Sequence, residues 1–335
     1  MTGCQGAVRR QVGRVRGVRG VRGWITATLL APVAVLGAEV PAAPPAAAGP
    51  LPGPRVVAAR VVAAPAAPAA PAAPAAPAAG VTCAVVDGFS RLSGGALYRL
   101  HDAQLLTGVN TLTEAAKVGS GWGGFAWTGM AGDGVIYALT TTGNLIWYRF
   151  DAATGAWSPG SGAVVGSGFT PGSKVLNIAV GANGWIYTVR SDGRLVLYQH
   201  TGRLTGAASW VNGSGFVLGS GWTGDEIIAP QGDGTLYRQL GGNLYWFRHT
   251  DPTAGPVTWT NAGRAVRIGV GWRFYDVLAL GAGVLLTTAS PSGQVFLYRH
   301  ADPAHGGQGW AVTALAKYVA RSDSFGVTVS PGVCS

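Results

Sequence analysis

From Val81 to the C-terminus, apolar residues fall in short runs separated by glycine-rich turns. Val135-Ile136-Tyr137-Ala138-Leu139 and Leu195-Val196-Leu197-Tyr198 are examples, rich in the β-branched and aromatic side chains that suit a pleated strand. Turn pairs bound these runs: Asp133-Gly134, Asn183-Gly184 and Asp233-Gly234, then, further along each unit, Gly143-Asn144, Gly193-Arg194, Gly242-Asn243 and Gly293-Gln294. Asp-Gly and Asn-Gly supply the positive φ that tight hairpins require. No segment of this region carries a helical hydrophobic period, so an all-β fold is expected.

The runs recur. Leu97-Tyr98-Arg99-Leu100 returns as Trp147-Tyr148-Arg149-Phe150, Leu197-Tyr198-Gln199-His200, Trp246-Phe247-Arg248-His249 and Leu297-Tyr298-Arg299-His300, at spacings of 50, 50, 49 and 51. A glycine turn ending in an aromatic follows the same period, at Trp122, Phe169, Trp222 and Trp272. So does a lone tryptophan ahead of each turn, at Trp157, Trp210 and Trp259, with Trp310 in the most degenerate copy. Short antiparallel strands repeated at this period predict a β-propeller, in which each unit buries its faces against its neighbours. Five copies predict five four-stranded antiparallel blades. In the Leu-Tyr-Arg-His series one face is expected to pack and the other, with Arg149, Arg248 and Arg299, to be solvated.

The repeat starts and ends out of phase with the blade. Phe89-Ser90-Arg91-Leu92 reads as a second strand, whereas Phe325-Gly326-Val327-Thr328-Val329 reads as a first strand with no blade after it. Pairing the two closes the ring and removes an open edge. Cys83 and Cys334 lie just outside these terminal strands, so a disulfide between them would clasp the split blade. Two unpaired thiols are the alternative.

Composition changes the picture at the N-terminus. Residues 1–40 read as a cleavable export signal, with a basic stretch through Arg22, an apolar run from Trp24 to Leu36 and small residues near Gly37 and Ala38. Cys4 falls within it. Residues 41–80 are almost entirely proline and alanine, a spacer that cannot build a core. The mature protein is then residues 81–335, secreted and without a membrane-inserted segment. The formal net charge is +10, but 8 of the 24 basic residues precede residue 81. What remains is 16 basic and 13 acidic residues, a balance of +3 with no basic run, which disfavours nucleic acid as a partner.

Candidate chemistry is sparse where enzymes need it. His101, His200, His249 and His300 fall into the repeat register, and His305 stands outside it. None has a zinc spacing or a convincing catalytic partner, so neither metal nor cofactor is expected and the chain does not read as an enzyme. What repeats is an aromatic ring beside glycines and short polar groups. A sugar presents an apolar C–H face and a rim of hydroxyls, which such a set can meet. The candidate carbohydrate-binding residues are Trp122, Phe169, Trp222, Trp272, Trp157, Trp210, Trp259 and Trp310, with Asp133, Asn183 and Asp233 for the hydroxyl rim. For the eight aromatics, packing between blades is an equal alternative.

The unit Lys117-Val118-Gly119-Ser120-Gly121-Trp122-Gly123-Gly124-Phe125, followed by Gly132-Asp133-Gly134-Val135-Ile136-Tyr137-Ala138-Leu139, resembles the repeat of the tachylectin family. The resemblance lies in the upstream tryptophan, the glycine-tryptophan turn and the Gly-x-Leu-Tyr strand, and it spans residues 81–335. It implies a five-bladed propeller lectin that binds N-acetylglucosamine or N-acetylgalactosamine, one pocket per repeat, without metal. Departures include Gly155-Ala156-Trp157, Ala208-Ser209-Trp210 and Val257-Thr258-Trp259 ahead of the turns. Asn110 stands where the first tryptophan should be, and Ala320-Arg321-Ser322 where the last glycine turn should be. Three or four good sites are therefore expected, on a monomer whose partners are multivalent glycans. A non-enzymatic scaffold for a protein partner is the alternative function.

Overall fold

The computed structural model describes residues 80–224, 226–289, 294–319 and 324–335. The expected export signal, the spacer up to residue 79 and the degenerate turn at 320–322 lie outside them. Among the described residues no helix is long and apolar enough to cross a membrane.

The protein is a five-bladed β-propeller of antiparallel sheets. The first blade runs outward through Phe125–Met130, Val135–Thr140, Leu145–Asp151 and Ala163–Gly166, with the short Ala156–Trp157 strand also on its third strand. The second comprises Val175–Val180, Trp185–Arg190, Arg194–Gln199 and Phe216–Ser220. The third comprises Ile227–Pro230, Thr235–Leu240, Asn243–Arg248 and Val266–Val270, and the fourth Asp276–Gly281, Val284–Thr288, Gln294–Asp302 and Gly307–Val319. The closing blade takes its inner strand, Ser324–Val329, from the C-terminus and its other three, Val86–Leu92, Leu97–Asp102 and Thr113–Gly119, from the N-terminal end of the domain. Phe89 faces Thr328 across that seam. Each inner strand touches two others, which completes the ring.

The core consists of five clusters, each drawing on two adjacent blades. Side chains in a strand point alternately to opposite faces. In the first blade Val135, Tyr137 and Leu139 therefore pack toward the second blade, while Ile136 and Ala138 pack toward the closing blade. Both faces are covered, which explains why the second strands read as continuous apolar runs instead of alternating. The same geometry corrects the expectation of a solvated face for Arg299, whereas Arg149 and Arg248 stay partly exposed. Arg299 is 6% exposed, and Arg149 reaches the second blade, where its Nη1 donates to the Leu204 carbonyl at 3.1 Å.

The hairpin glycines do what their sequence context requires. Gly134 has φ +73°, and a Cβ there would lie 2.0 Å from the Phe150 carbonyl oxygen. Gly234, at φ +89°, stands in the same relation to His249, at 2.1 Å. No other residue satisfies both demands.

The seam is reinforced twice. Cys83 and Cys334 form a disulfide across 251 residues of chain. A loop of that length contributes up to about 5 kcal/mol in the chain-entropy account. On the outer edge, the fully buried Lys317 ammonium lies 3.0 Å from the Asp102 carboxylate and donates to the Gln104 and Gly108 carbonyls and to Thr111 Oγ1. Burial pulls the Lys317 pKa down, and the bond and charge of Asp102 pull it back up.

Three blade junctions share a buried tyrosine–histidine pair. Tyr137, Tyr187 and Tyr237 meet ring nitrogens of His200, His249 and His300 at 2.7, 2.6 and 3.2 Å. The other ring nitrogen donates to the carbonyl of Ala207, Thr250 or Gly307. Each histidine is thus neutral, accepting on one side and donating on the other, and burial holds its pKa below the ordinary 6.5. Between the fourth and closing blades, Leu286 and Leu100 share a cluster at the corresponding positions.

These histidines stay neutral in the fold while their unfolded counterparts protonate near pH 6.5, so stability falls as pH drops from about 6.5 toward the depressed folded values. Asp276, raised to about 6, acts in the opposite sense. The difference between wild type and a Tyr187→Leu/His249→Leu variant therefore isolates the pair. Denaturant midpoints measured from pH 7.5 to 5 are expected to fall less in the variant than in the wild type.

Candidate functional site

The strongest repeated constellation lies where the outer strand of one blade passes into the next. At four of the five junctions three rings converge: the turn aromatic, a ring from the third strand of the following blade, and that blade's lone tryptophan. Trp122 lies 4.7 Å from Tyr148 and 5.6 Å from Trp157. Phe169 lies 5.3 Å from Tyr198, which is 6.3 Å from Trp210. Trp222 and Trp259 flank Phe247 at 5.4 and 5.6 Å. Trp272 meets Tyr298 at 4.9 Å and Trp310 at 5.1 Å.

The rings divide by exposure. Trp122, Phe169, Trp222 and Trp272 are only 5–6% exposed, so the structure gives these four the packing alternative. Trp157, Trp210, Trp259 and Trp310 are half-buried. Their indole N–H groups donate to the carbonyls of Val118, Val165, Leu218 and Ile268 on the preceding blade, at 2.6 to 3.1 Å. Such an indole offers a ligand its face and edge but no free donor. Tyr148, Tyr198 and Tyr298 are likewise half-buried and bring a hydroxyl to the same groove. Burial raises the pKa of Tyr148 and Tyr298, so both hydroxyls remain protonated donors. The Tyr198 hydroxyl accepts from Arg190 Nη1 at 3.2 Å.

These tyrosines were the residues missed by sequence reasoning, which assigned their series to packing. The available signal was parity: Tyr148 alternates with Trp147, so it points to the junction occupied by Trp122 and Trp157. The third groove differs from the others, because Phe247 lacks the hydroxyl and the Arg238 guanidinium lies 4.4 Å over the Trp222 ring, paired with buried Glu226.

Asp133, Asn183 and Asp233 do not join this set. They sit in exposed hairpins after the inner strands, whereas the glycine turns precede those strands. A six-residue strand such as Phe125–Met130 separates its two ends by roughly 17–20 Å. Asp133 instead pairs with Arg203 at 2.6 Å, and the Asp233 carboxylate accepts from the Thr235 N–H at 2.9 Å.

At the junction between the fourth and closing blades, no tryptophan is present. The Asn110 and Leu112 N–H groups bond the Ala316 and Lys317 carbonyls, and the buried Lys317–Asp102 pair fills the space. Four ring-lined grooves remain among the described residues. A separate cavity of about 510 Å³ lies against the third and fourth blades, lined by Trp246, Arg248, Thr260, Asn261, Ala304 and His305.

A protein-family model described as Tachylectin matches residues 93–326. No curated protein matches the chain. Among solved structures, one reported under "The de novo evolutionary emergence of a symmetrical protein is shaped by folding constraints" is 18% identical over 73% of this chain and 98% of its own, with a TM-score of 0.47. A periplasmic gluconolactonase of Pseudomonas aeruginosa is 13% identical over 72% of this chain and 69% of its own, with a TM-score of 0.38. A regucalcin of Agrobacterium tumefaciens is 13% identical over 72% and 77%, with a TM-score of 0.32.

The two glycines of each turn have different duties, and substitution separates them. A Cβ at Gly269 would lie 2.2 Å from Trp272 Nε1, in a ring held between Tyr298 and Trp310. Gly271 has open space but φ +77°. Gly271→Ala is expected to cost about 1–2 kcal/mol, the strain of a left-handed residue. Gly269→Ala is expected to cost more and to change the near-ultraviolet signal of the ring cluster, as equilibrium unfolding and circular dichroism would show.

Proposed function

The chain belongs to the tachylectin family, and from that premise we propose that it is a secreted lectin that holds N-acetylated amino sugars, N-acetylglucosamine or N-acetylgalactosamine, in its inter-blade grooves. The observation that carries this reading is the recurrence of a half-buried tyrosine beside a half-buried tryptophan whose N–H is already satisfied. The indole offers an apolar surface to the C–H face of a pyranose and the tyrosine hydroxyl offers a bond to its rim. An N-acetyl methyl adds apolar contact in the angle between the rings.

A single shallow sugar site binds near the millimolar range, about −4 kcal/mol. Several such sites on one rigid ring raise the strength for a multivalent glycan by ~10² or more. That makes polysaccharides and glycosylated surfaces the natural partners of a monomer. Repetition also argues against an enzyme, since turnover needs one assembled catalytic set instead of several similar grooves. Export is supported by the Cys83–Cys334 disulfide, a bond that persists in oxidising compartments.

The test is retention of the purified protein on immobilised N-acetylglucosamine and N-acetylgalactosamine with elution by the free sugars. Tyr148→Ala, Tyr198→Ala and Tyr298→Ala are expected to reduce retention stepwise, and the triple variant to reduce it most. Loss of all binding in one single variant, or unchanged binding in the triple variant, would turn the search toward a protein partner.

A further inference from the structure

The propeller axis contains a well of about 330 Å³. Strand register identifies Trp127, Asn177, Ile227 and Asp276 as one ring position on four inner strands, facing Leu139, Val189, Gln239 and Thr288. All four line the well, together with Arg91 and Tyr275. This ring position lies near the start of each inner strand. At the other end the inner hairpins crowd the axis: a Cβ on Gly232 would fall 2.5 Å from the Ala182 Cβ, and one on Gly332 would fall 2.9 Å from it. The space therefore opens on one face and is narrowed on the other.

The groups at its wider end are acceptors, rings and one guanidinium, that of Arg91. Asp276 Oδ1 accepts the Val277 N–H at 2.9 Å, and among the described residues the carboxylate pairs with no cation. Asn177 donates an amide N–H to the Glu226 carbonyl, which leaves its side-chain oxygen as the acceptor it can offer a ligand. Trp127 lies over Gly129, where a Cβ would come within 2.4 Å of the indole. Tyr275 is 62% exposed. Arg91 and Tyr275 are the other charged or titratable groups of the described lining, and Arg91 Nη1 is committed to the Phe125 carbonyl at 2.8 Å. A carboxylate without a partner beside aromatic faces is suited to a cation.

We propose that this axial well, whose lining reaches the buried Trp122 of one groove, is a single-copy binding site on the axis for a small organic ammonium ion held by the Asp276 carboxylate, the Asn177 oxygen and the rings of Trp127 and Tyr275. Burial lifts the Asp276 carboxyl to about 6. Its charged form, which the cation needs, is lost as pH falls below that value.

D-glucosamine, cationic at neutral pH, is the probe, and N-acetyl-D-glucosamine, of similar size but uncharged, is the counter-probe. Titration calorimetry of the mature protein at pH 7 is expected to show one glucosamine site per chain that Asp276→Asn weakens by tenfold or more. Changing the pH from 7 to 5 is expected to weaken it about tenfold. Trp127→Leu provides a second variant, and thermal melts check that both fold. N-acetyl-D-glucosamine binding to the grooves should be unaffected by either substitution, so failure of the groove reading and failure of this one remain distinguishable. Absence of a glucosamine site, equal affinity in both variants, or a flat profile between pH 5 and 7 would overturn the proposal.

Discussion

Ring closure is the constraint on which this molecule depends. No blade has a face that can be left to solvent, because Val135, Tyr137 and Leu139 need the next blade while Ile136 and Ala138 need the one before. An open ring would expose two such faces and two strand edges at once. Reinforcement is accordingly concentrated at the seam, where the closing blade is assembled from both ends of the domain. Strand pairing, a disulfide and a buried lysine–aspartate pair all act there.

That reinforcement has a functional consequence. The residues that would form a groove beside the closing blade are replaced by Lys317, Asp102 and the loop from Gln104 to Thr111. A buried ammonium with its hydrogen bonds satisfied holds a loop firmly, and Tyr98, the repeat counterpart of Tyr148, has Asn110 in place of a tryptophan partner. The closing junction holds this buried pair where the other junctions hold a tryptophan groove. Each of the other four junctions keeps its ring triad.

Much of this was legible in the sequence, because a period of about 50 residues in three separate motifs leaves few architectures. The seam and the disulfide followed from where the repeat breaks. Other features were hidden for definable reasons. The burial of Arg299 was not predicted because alternation within a strand does not reveal that both faces have neighbours. The convergence of Tyr148, Tyr198 and Tyr298 with the tryptophans depends on which blade each parity faces, a fact fixed only by assembly. The distance between Asp133 and the glycine turns likewise emerges only once strand direction is known. The axial well has no motif at all, since Trp127, Asn177, Ile227 and Asp276 share a ring position but no chemistry.

Rotational symmetry separates what the rim can present from what the axis can present. A groove at the rim is formed by two adjacent blades, so copying the blade copies the site, and the tyrosine and tryptophan positions remain similar around the ring. A ligand on the axis touches all blades together, and only one can fit. Identical residues there would present the same group from every side, which suits a symmetric ligand and little else. An asymmetric small molecule requires the repeats to diverge at that one position while the strands around it are kept. That is the observed pattern: an indole, an amide, an aliphatic chain and a carboxylate at one level of otherwise similar inner strands. The carboxylate is also a stability cost at neutral pH, since burial disfavours its charge.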